Sequence, residues 1–433
     1  MKVAFATLGC RVNQYESEAM AEKFIKSGYE VVPFSEVADV YVVNTCTVTN
    51  MSDKKSRQMI SRARRLNEDS VIAAVGCYTQ IAPDKVKDIK DVDVVLGTRN
   101  KGEIVYWVNR AREERRQIVE VNDVLKNRVF EDLTIEEYQD RTRAFLKIQD
   151  GCNNFCSYCL IPFARGAVCS KKPERVISEV RELASHGFKE VILSGIDISS
   201  YGVDLEGEYN LLTILQEIDE IDGIERIRIG SIGPEFFNKD IMSGISKMKK
   251  LCPHFHLSLQ SGCNETLKRM NRRYTVEEYK TIVESLRKQI QGVSITTDVI
   301  VGFPGESEEE FNKTYEFLKE IKLSKMHIFK YSPRTGTKAA SMEDQVDGNI
   351  KDARSKMLIE LNEENEKEFM KNFIGKDMKV LYEQKIDKEE DLYEGYTPNY
   401  IKIVAKSKED IREKIVDTLL KNVSKDHIIG QIQ

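Results

Sequence analysis

Short apolar runs alternate with segments of helical spacing along the first third of the chain. The runs "KVAFATLG", "DVYVVNTC", "SVIAAVGC" and "DVDVVLGT" are mostly β-branched and apolar, and they read as strands. Between the first two, "QYESEAMAEKFIKSG" puts Met20, Phe24 and Ile25 at helical spacing and stops at Gly28. This alternation predicts a doubly wound, flavodoxin-like parallel sheet with helices on both faces. Ligands of open α/β sheets bind beyond the carboxyl ends of the strands. Three of the runs lead directly into Cys10, Cys46 and Cys77, so three thiols far apart in sequence are expected on one edge.

The middle of the chain repeats the alternation with a different count. Six strand-like runs, "RAFLKIQDGC", "EVILSGIDIS", "RIRIGSIGP", "HFHLSLQSG", "SITTDVIVGFPGE" and "KMHIFKYSP", are separated by five helical stretches. Six strands and five helices predict a partial (β/α)6 barrel, open where a full barrel has eight strands, with its site at the carboxyl ends. From about residue 370 the pattern changes to short alternating strands, "DMKVLYEQKI", "EGYTPNYIKIVAKS" and "EKIVDTLLKNV", after a charged connecting helix. A tail of roughly 60 residues of this kind fits a small OB-like barrel. The expected units are therefore residues 1–135, 138–368 and 370–433.

Composition narrows the setting. The 433 residues are 41% hydrophobic and 32% charged, as in a soluble globular protein. No apolar run approaches the roughly 18 residues that cross a bilayer. The opening "MKVAFATLGCRVNQYESE" is one strand-length run followed by charges rather than a signal peptide, which predicts a cytoplasmic protein with no membrane association. Disulfides are rare there, so the nine cysteines are candidate ligands, catalytic groups or core residues. A net charge of −5 argues against a surface that is basic throughout, but not against one basic face. Two basic runs stand out: "DKKSRQMISRARR" after Cys46, and "LKRMNRR" at residues 267–273. Both begin near strand ends on the predicted active face, where phosphate contacts are expected.

The cysteines carry the chemistry. Convergence of Cys10, Cys46 and Cys77 points to a soft-metal site, with an iron–sulfur cluster as the first reading. A three-cysteine zinc site is the alternative; it needs a His, and none precedes His186. Cys152, Cys156 and Cys159 form a C-x3-C-x2-C run in "DGCNNFCSYCLIPFARG", tight enough for one loop to wrap a cubane cluster through three thiolates. Three ligands on four irons leave one iron open to a small chelating molecule. A zinc knuckle is the alternative here, with Cys169 ten residues on. Cys169, Cys252 and Cys263 are taken as core or incidental thiols.

The C-x3-C-x2-C run with an aromatic before the last Cys resembles the signature of the radical S-adenosylmethionine (SAM) enzymes. That resemblance implies a 4Fe-4S cluster on Cys152, Cys156 and Cys159, with SAM on its open iron. It also implies Tyr158 near the adenine and Ser194 and Gly195 at the methionine amino group. Gln260 and Asp298 follow as further SAM contacts. Gly302 and Gly305 of "VGFPGES" would offer backbone amides. Together with "TLGCRVNQYE", "VNTCTVT", "AVGCYTQ", "LSGIDISSYG", "HLSLQSGCNETLKRMNRRYT" and "DVIVGFPGE", nearly the whole chain resembles the radical SAM methylthiotransferases.

"TLGCRVNQYE" and "GYTPNY" resemble the branch acting on N6-threonylcarbamoyladenosine at tRNA position 37. Arg11 stands where that branch often has lysine, and Cys263 where serine is expected. The resemblance implies a second 4Fe-4S cluster on Cys10, Cys46 and Cys77 that carries sulfur toward C2 of adenine. It also implies a C-terminal TRAM domain that binds RNA. The expected partners are a tRNA anticodon stem-loop, SAM, an electron-donor protein and a sulfur source. No side chain is assigned as a general acid or base. Tyr396, Tyr400 and Lys402 are candidate RNA contacts; the tyrosines read equally well as half-buried strand residues. The rival functions are methylthiolation of isopentenyladenosine or of a ribosomal-protein aspartate, or a non-catalytic RNA-binding iron–sulfur protein.

Overall fold

The computed structural model describes residues 1–126, 128–135, 142–387 and 389–433. The expected boundary between the first two units, after residue 135 and before residue 138, lies outside the described residues. The N-terminal sheet has six parallel strands: β1 (Lys2–Thr7), β2 (Glu30–Val32), β3 (Val40–Thr45), β4 (Val71–Gly76), β5 (Val94–Leu96) and β6 (Ile118–Glu120). Their order is β2-β1-β3-β4-β5-β6. Both central strands, β3 and β4, are buried at every residue, as parallel strands covered on both faces must be. The pattern of apolar runs does not reveal β2 or β6. Each has three residues, some of them exposed, which is too short for a periodic signal. The first helix, Arg11–Lys26, buries Met20 and Phe24 as expected, but Ile25 faces solvent. Gly28, at φ +82°, follows its end.

The central unit begins with β7 (Arg143–Lys147), followed by a two-residue antiparallel pair, β8 (Gln149–Asp150) and β9 (Cys169–Ser170). Next come β10 (Glu190–Ser194), β11 (Arg226–Ile229), β12 (Ser231–Ile232), β13 (His254–Leu257), β14 (Ser294–Val301) and β15 (Lys325–Lys330). β7, β10 and β11 form one parallel sheet and β12 to β15 another. β11 and β12 are two pieces of the single predicted run "RIRIGSIGP". They are separated at Gly230, whose N–H donates to the Leu193 carbonyl at 2.9 Å. Counted that way, the six strands and five intervening helices, Pro173–Ser185, Leu211–Asp219, Lys239–Ile245, Val276–Gln289 and Glu308–Ile321, are the expected partial barrel. One continuous apolar core joins them. The helix Gly348–Lys371 covers the β15 edge, where Asn362 Oδ1 accepts the Met326 N–H and Glu366 pairs with Lys325.

The tail is a closed five-stranded barrel: β16 (Asp377–Asp387), β17 (Leu392–Tyr396), β18 (Lys402–Lys406), β19 (Ile415–Ser424) and β20 (His427–Ile432). The run "EGYTPNYIKIVAKS" contributes two strands rather than one, and "HIIGQI" adds a strand with no long apolar run to announce it. This barrel seats on the amino ends of the central strands. Arg226 donates to the carbonyls of Tyr396 and Lys379, Arg228 to that of Pro398, and Arg143 pairs with Glu383. The rings of Tyr396 and Tyr400 stack at 4.8 Å. Tyr400 lies 4.9 Å from the His254 ring and under the Arg228 guanidinium. The two tyrosines therefore close the base of the central barrel, and the half-buried reading holds. Lys402 is paired with Asp426. No helix among the described residues is long and apolar enough to cross a membrane.

Candidate active site

Cys10, Cys46 and Cys77 follow β1, β3 and β4, which are neighbours in the sheet. Cys10 is the N-cap of the first helix, Cys46 directly follows β3, and Cys77 opens the helix Cys77–Ile81. Polar side chains stitch the three strand ends together. Asn13 Nδ2 donates to the carbonyls of Leu8 and Thr45, Asn44 Nδ2 to that of Asn13, and Thr45 Oγ1 to that of Val75. Gly9 (φ +99°) is required by space as well as by conformation. A Cβ there would lie 2.8 Å from Cys46 Sγ. Burial pushes the Cys46 thiol up and Cys77 up to about 11. A charge on Cys10 raises both thiols further.

Cys152, Cys156 and Cys159 lie on the loop between β8 and the helix Ile161–Arg165, beyond the carboxyl end of β7. Each sulfur has a donor. The Asn154 N–H reaches Cys152 Sγ at 3.5 Å, the Ile161 N–H reaches Cys159 Sγ at 3.4 Å, and Arg272 Nη1 reaches Cys156 Sγ at 3.3 Å. Asp197 Oδ2 lies 3.6 Å from Cys152 Sγ and accepts from Asn154 and Ser200. Burial lifts the Cys159 thiol to about 12, and Cys77 of the other trio adds to the rise. The helix that Cys77 opens packs on the helix Ile161–Arg165 directly after the second trio, so the two trios lie on neighbouring elements.

A buried ionic block stands behind them. Arg165, fully buried, donates to Glu16 Oε1 at 2.6 Å, Asn13 Oδ1 at 2.6 Å and Asp150 Oδ2 at 3.2 Å. Lys147 bridges Glu16 and Asp150, Lys101 pairs with Glu16, and Arg99 lies 3.6 Å from Asp150. Four cations meet two carboxylates. These positive charges hold Glu16 and Asp150 well below the usual carboxylate range against their burial, and Arg165 and Lys101 offset part of the burial-driven rise of the Cys77 thiol. Such a block suits an anionic neighbour. Thiolate donors on glycine-relieved loops, N–H groups aimed at sulfur and a cationic backing are what an iron–sulfur cluster needs. The donor chemistry of each trio suits such a cluster, while among the described residues no three His, Cys, Asp or Glu side chains are grouped so as to hold a single metal ion. A second tie lies on the Cys46 side, where Arg334 donates to Thr47 Oγ1, Asn50 Oδ1 and Asp53 Oδ2 at 2.6–2.7 Å.

Family models match residues 2–97 as an uncharacterized protein family, UPF0004, and residues 146–318 as the radical SAM superfamily. The chain is 46% identical over 417 residues to the threonylcarbamoyladenosine tRNA methylthiotransferase MtaB of Bacillus subtilis, covering 96% of this chain and 92% of that one. It is 45% identical to the protein of the same name from Aquifex aeolicus, covering 88% and 92%. This chain belongs to the threonylcarbamoyladenosine tRNA methylthiotransferase family. The radical SAM methyltransferase TsrM from Kitasatospora setae shares the fold. Its TM-score is 0.57 at 16% identity, with 78% of this chain and 76% of that chain covered.

The residues that the family resemblance points to for SAM are placed unevenly. Tyr158 packs edge-on to Phe303 beside the second trio, and burial raises its phenol. Ser194 ends β10, with its hydroxyl on the Leu146 carbonyl. Gly195 abuts Gln149, whose Oε1 accepts the Ile196 and Asp197 N–H groups and so fixes the loop facing Cys152. Gln260, at φ +71°, is bridged to β14 through the Asp298 carbonyl and the Ile300 N–H. The Asp298 carboxylate lies 3.4 Å from His256 Nε2. Gly302 requires correction as a free amide. Its N–H donates to Glu306 Oε1 at 2.9 Å, and Lys351 occupies the space where a Cβ would stand. The Gly305 N–H is likewise bound, to the Asp344 carbonyl.

The second basic run is also corrected. Arg269 is bound to Glu310 and the Pro304 carbonyl, and Arg272 serves Cys156 and Tyr274. Of its four basic residues, only Lys268 and Arg273 are exposed. The first run keeps an exposed face on the helix Asn50–Leu66, with Lys54, Lys55, Arg62 and Arg65 outward. Sequence reasoning missed Asp197, Arg165 and Arg334. The motif strings "SGIDIS" and "IPFARG" were the available signals for the first two.

Proposed function

We propose that this chain converts N6-threonylcarbamoyladenosine at tRNA position 37 to its 2-methylthio derivative. The observation that carries this reading is the meeting of two cysteine trios beside the Arg165 block, in a chain of this family. Cys10, Cys46 and Cys77 hold one 4Fe-4S cluster, and Cys152, Cys156 and Cys159 the other. SAM lies at the second, among Tyr158, Ser194, Gly195, Gln260 and Asp298. When bound, these groups supply the electron, the hydrogen-abstracting radical, the sulfur and the methyl group.

The chain's own residues do the positioning. Arg272 and the Asn154 and Ile161 amides hold the sulfurs of the second trio by hydrogen bonds that favour thiolate. Gln149 fixes the Ile196–Asp197 loop in front of Cys152. Asn13 and Gly9 set the distance between the Cys10 and Cys46 loops. Arg165 ties the helix of Cys10 to the strand before Cys152, so the two trios keep one relative position. The exposed face of the helix Asn50–Leu66 begins just after Cys46 and meets tRNA phosphates. The functional units are residues 1–135, 138–368 and 370–433. An electron-donor protein and a sulfur source complete the set, in the cytoplasm.

A nucleoside digest of tRNA from a strain lacking the gene tests this. The 2-methylthio derivative is expected to vanish while N6-threonylcarbamoyladenosine accumulates. An unchanged digest, or loss of a methylthiolated isopentenyladenosine instead, contradicts it.

A further inference from the structure

A cavity of about 830 Å³ opens between the N-terminal sheet and the open side of the central barrel. Its lining includes Cys10, Arg11, Ser231, His256, Asp298 and His327. A second chamber of about 460 Å³ lies in the barrel above the Tyr396–Tyr400 pair, and Arg11, Ser231, His256 and His327 line both. Three of the chain's five histidines therefore sit inside the barrel, a concentration that no sequence motif announces.

We propose that Arg11 binds the carboxylate of the threonylcarbamoyl arm on the substrate adenosine, and so selects an acid-bearing base over a neutral one. This rests on the function proposed above. Adenine C2 and N6 lie on the same edge of the base, separated by N1 and C6. An arm on N6 therefore stands beside the reacting carbon. A base presented to the Cys10 trio brings that arm to the residue next to Cys10.

Arg11 suits the task. Its guanidinium lies 4.9 Å over the Phe145 ring, and Nη1 donates to Gln14 Oε1 at 2.9 Å. The ring and the amide orient the side chain without neutralising it, and Gln14 takes one of its five N–H groups. Arg11 is also the first residue of its helix, whose first turn holds no acid. A cation there opposes the helix dipole, so helix stability does not explain its presence. An incoming carboxylate satisfies both the helix end and the guanidinium fork.

The rest of the lining agrees with one carboxylate and no more. Asp298, paired with His256, repels a second anion and offers an acceptor to the arm's ureido N–H or hydroxyl. His256 and His327 stand 5.7 Å apart as a wall. Burial and the neighbouring His256 keep His327 below the usual imidazole range, so Arg11 rather than His327 supplies the charge at neutral pH.

The test is binding of the full-length protein to anticodon stem-loop RNAs by fluorescence anisotropy. The RNAs carry N6-threonylcarbamoyladenosine, the same arm as its neutral carboxamide, or unmodified adenosine. The wild-type protein is expected to prefer the acid-bearing RNA by about ten- to a hundredfold, the range of a charge-assisted hydrogen-bond pair. The carboxamide RNA should lose most of that preference on the unaltered protein, which removes folding from the question. Arg11→Gln should bring the preference close to one, and Arg11→Lys should restore part of it. A preference that survives both Arg11→Gln and the carboxamide overturns the inference. A wild-type protein that makes the methylthio product without preferring the acid-bearing RNA overturns the inference alone. One that does neither overturns the proposed function with it.

Discussion

Cys46→Ala enzyme, reconstituted with iron and sulfide, is expected to form no methylthio product while still releasing 5′-deoxyadenosine from SAM. Cys46 is the middle thiol of three neighbouring strand ends, and Gly9 exists to let the Cys10 loop approach it. Its loss leaves two thiols for one cluster. The Cys152 trio keeps its own donors, Arg272 and the Asn154 and Ile161 amides, none of which touches Cys46. Iron should fall from about eight to about four per chain. Full iron content with continued methylthiolation would make Cys46 an ordinary buried thiol.

Arg165→Met should cost about 3–5 kcal/mol, because removing one partner strands buried charges. Glu16 and Asp150 would lose their shared guanidinium, and Asn13 would lose the bond that steadies the Cys10 loop. A lowered unfolding midpoint in denaturant checks this, and Arg165→Lys should lie between, keeping the charge but not the fork. The carboxylates also give the interface a pH signature. Both are held below their ordinary values, so their contribution is present above the normal carboxylate range. It is lost as pH falls through the depressed values. An unchanged midpoint for Arg165→Met would show that the block is not what joins the two units.

The sequence made local features legible. Long apolar strands, helices with clear period and the six cysteines could be read because each signal lies within one short segment. Strand-end placement even joined Cys10, Cys46 and Cys77 across 67 residues, since parallel strands share an edge. Features that depend on partners distant in sequence were not legible. Arg165 looks like one more basic residue until Glu16 and Asn13 are brought to it. Arg269 and Arg272 look like a phosphate-binding run until Glu310 and Cys156 claim them. Tyr396 and Tyr400 look like stacking platforms until the barrel base meets them. β2 and β6 are three-residue edge strands whose pairing, not whose composition, defines them.

The most direct measurement combines purified, reconstituted protein, SAM, a one-electron reductant and an anticodon stem-loop bearing N6-threonylcarbamoyladenosine, with products read by mass spectrometry. The expected result is the 2-methylthio nucleoside together with 5′-deoxyadenosine. Formation of 5′-deoxyadenosine without the methylthio nucleoside, or methylthiolation of an isopentenyladenosine stem-loop in its place, would contradict it.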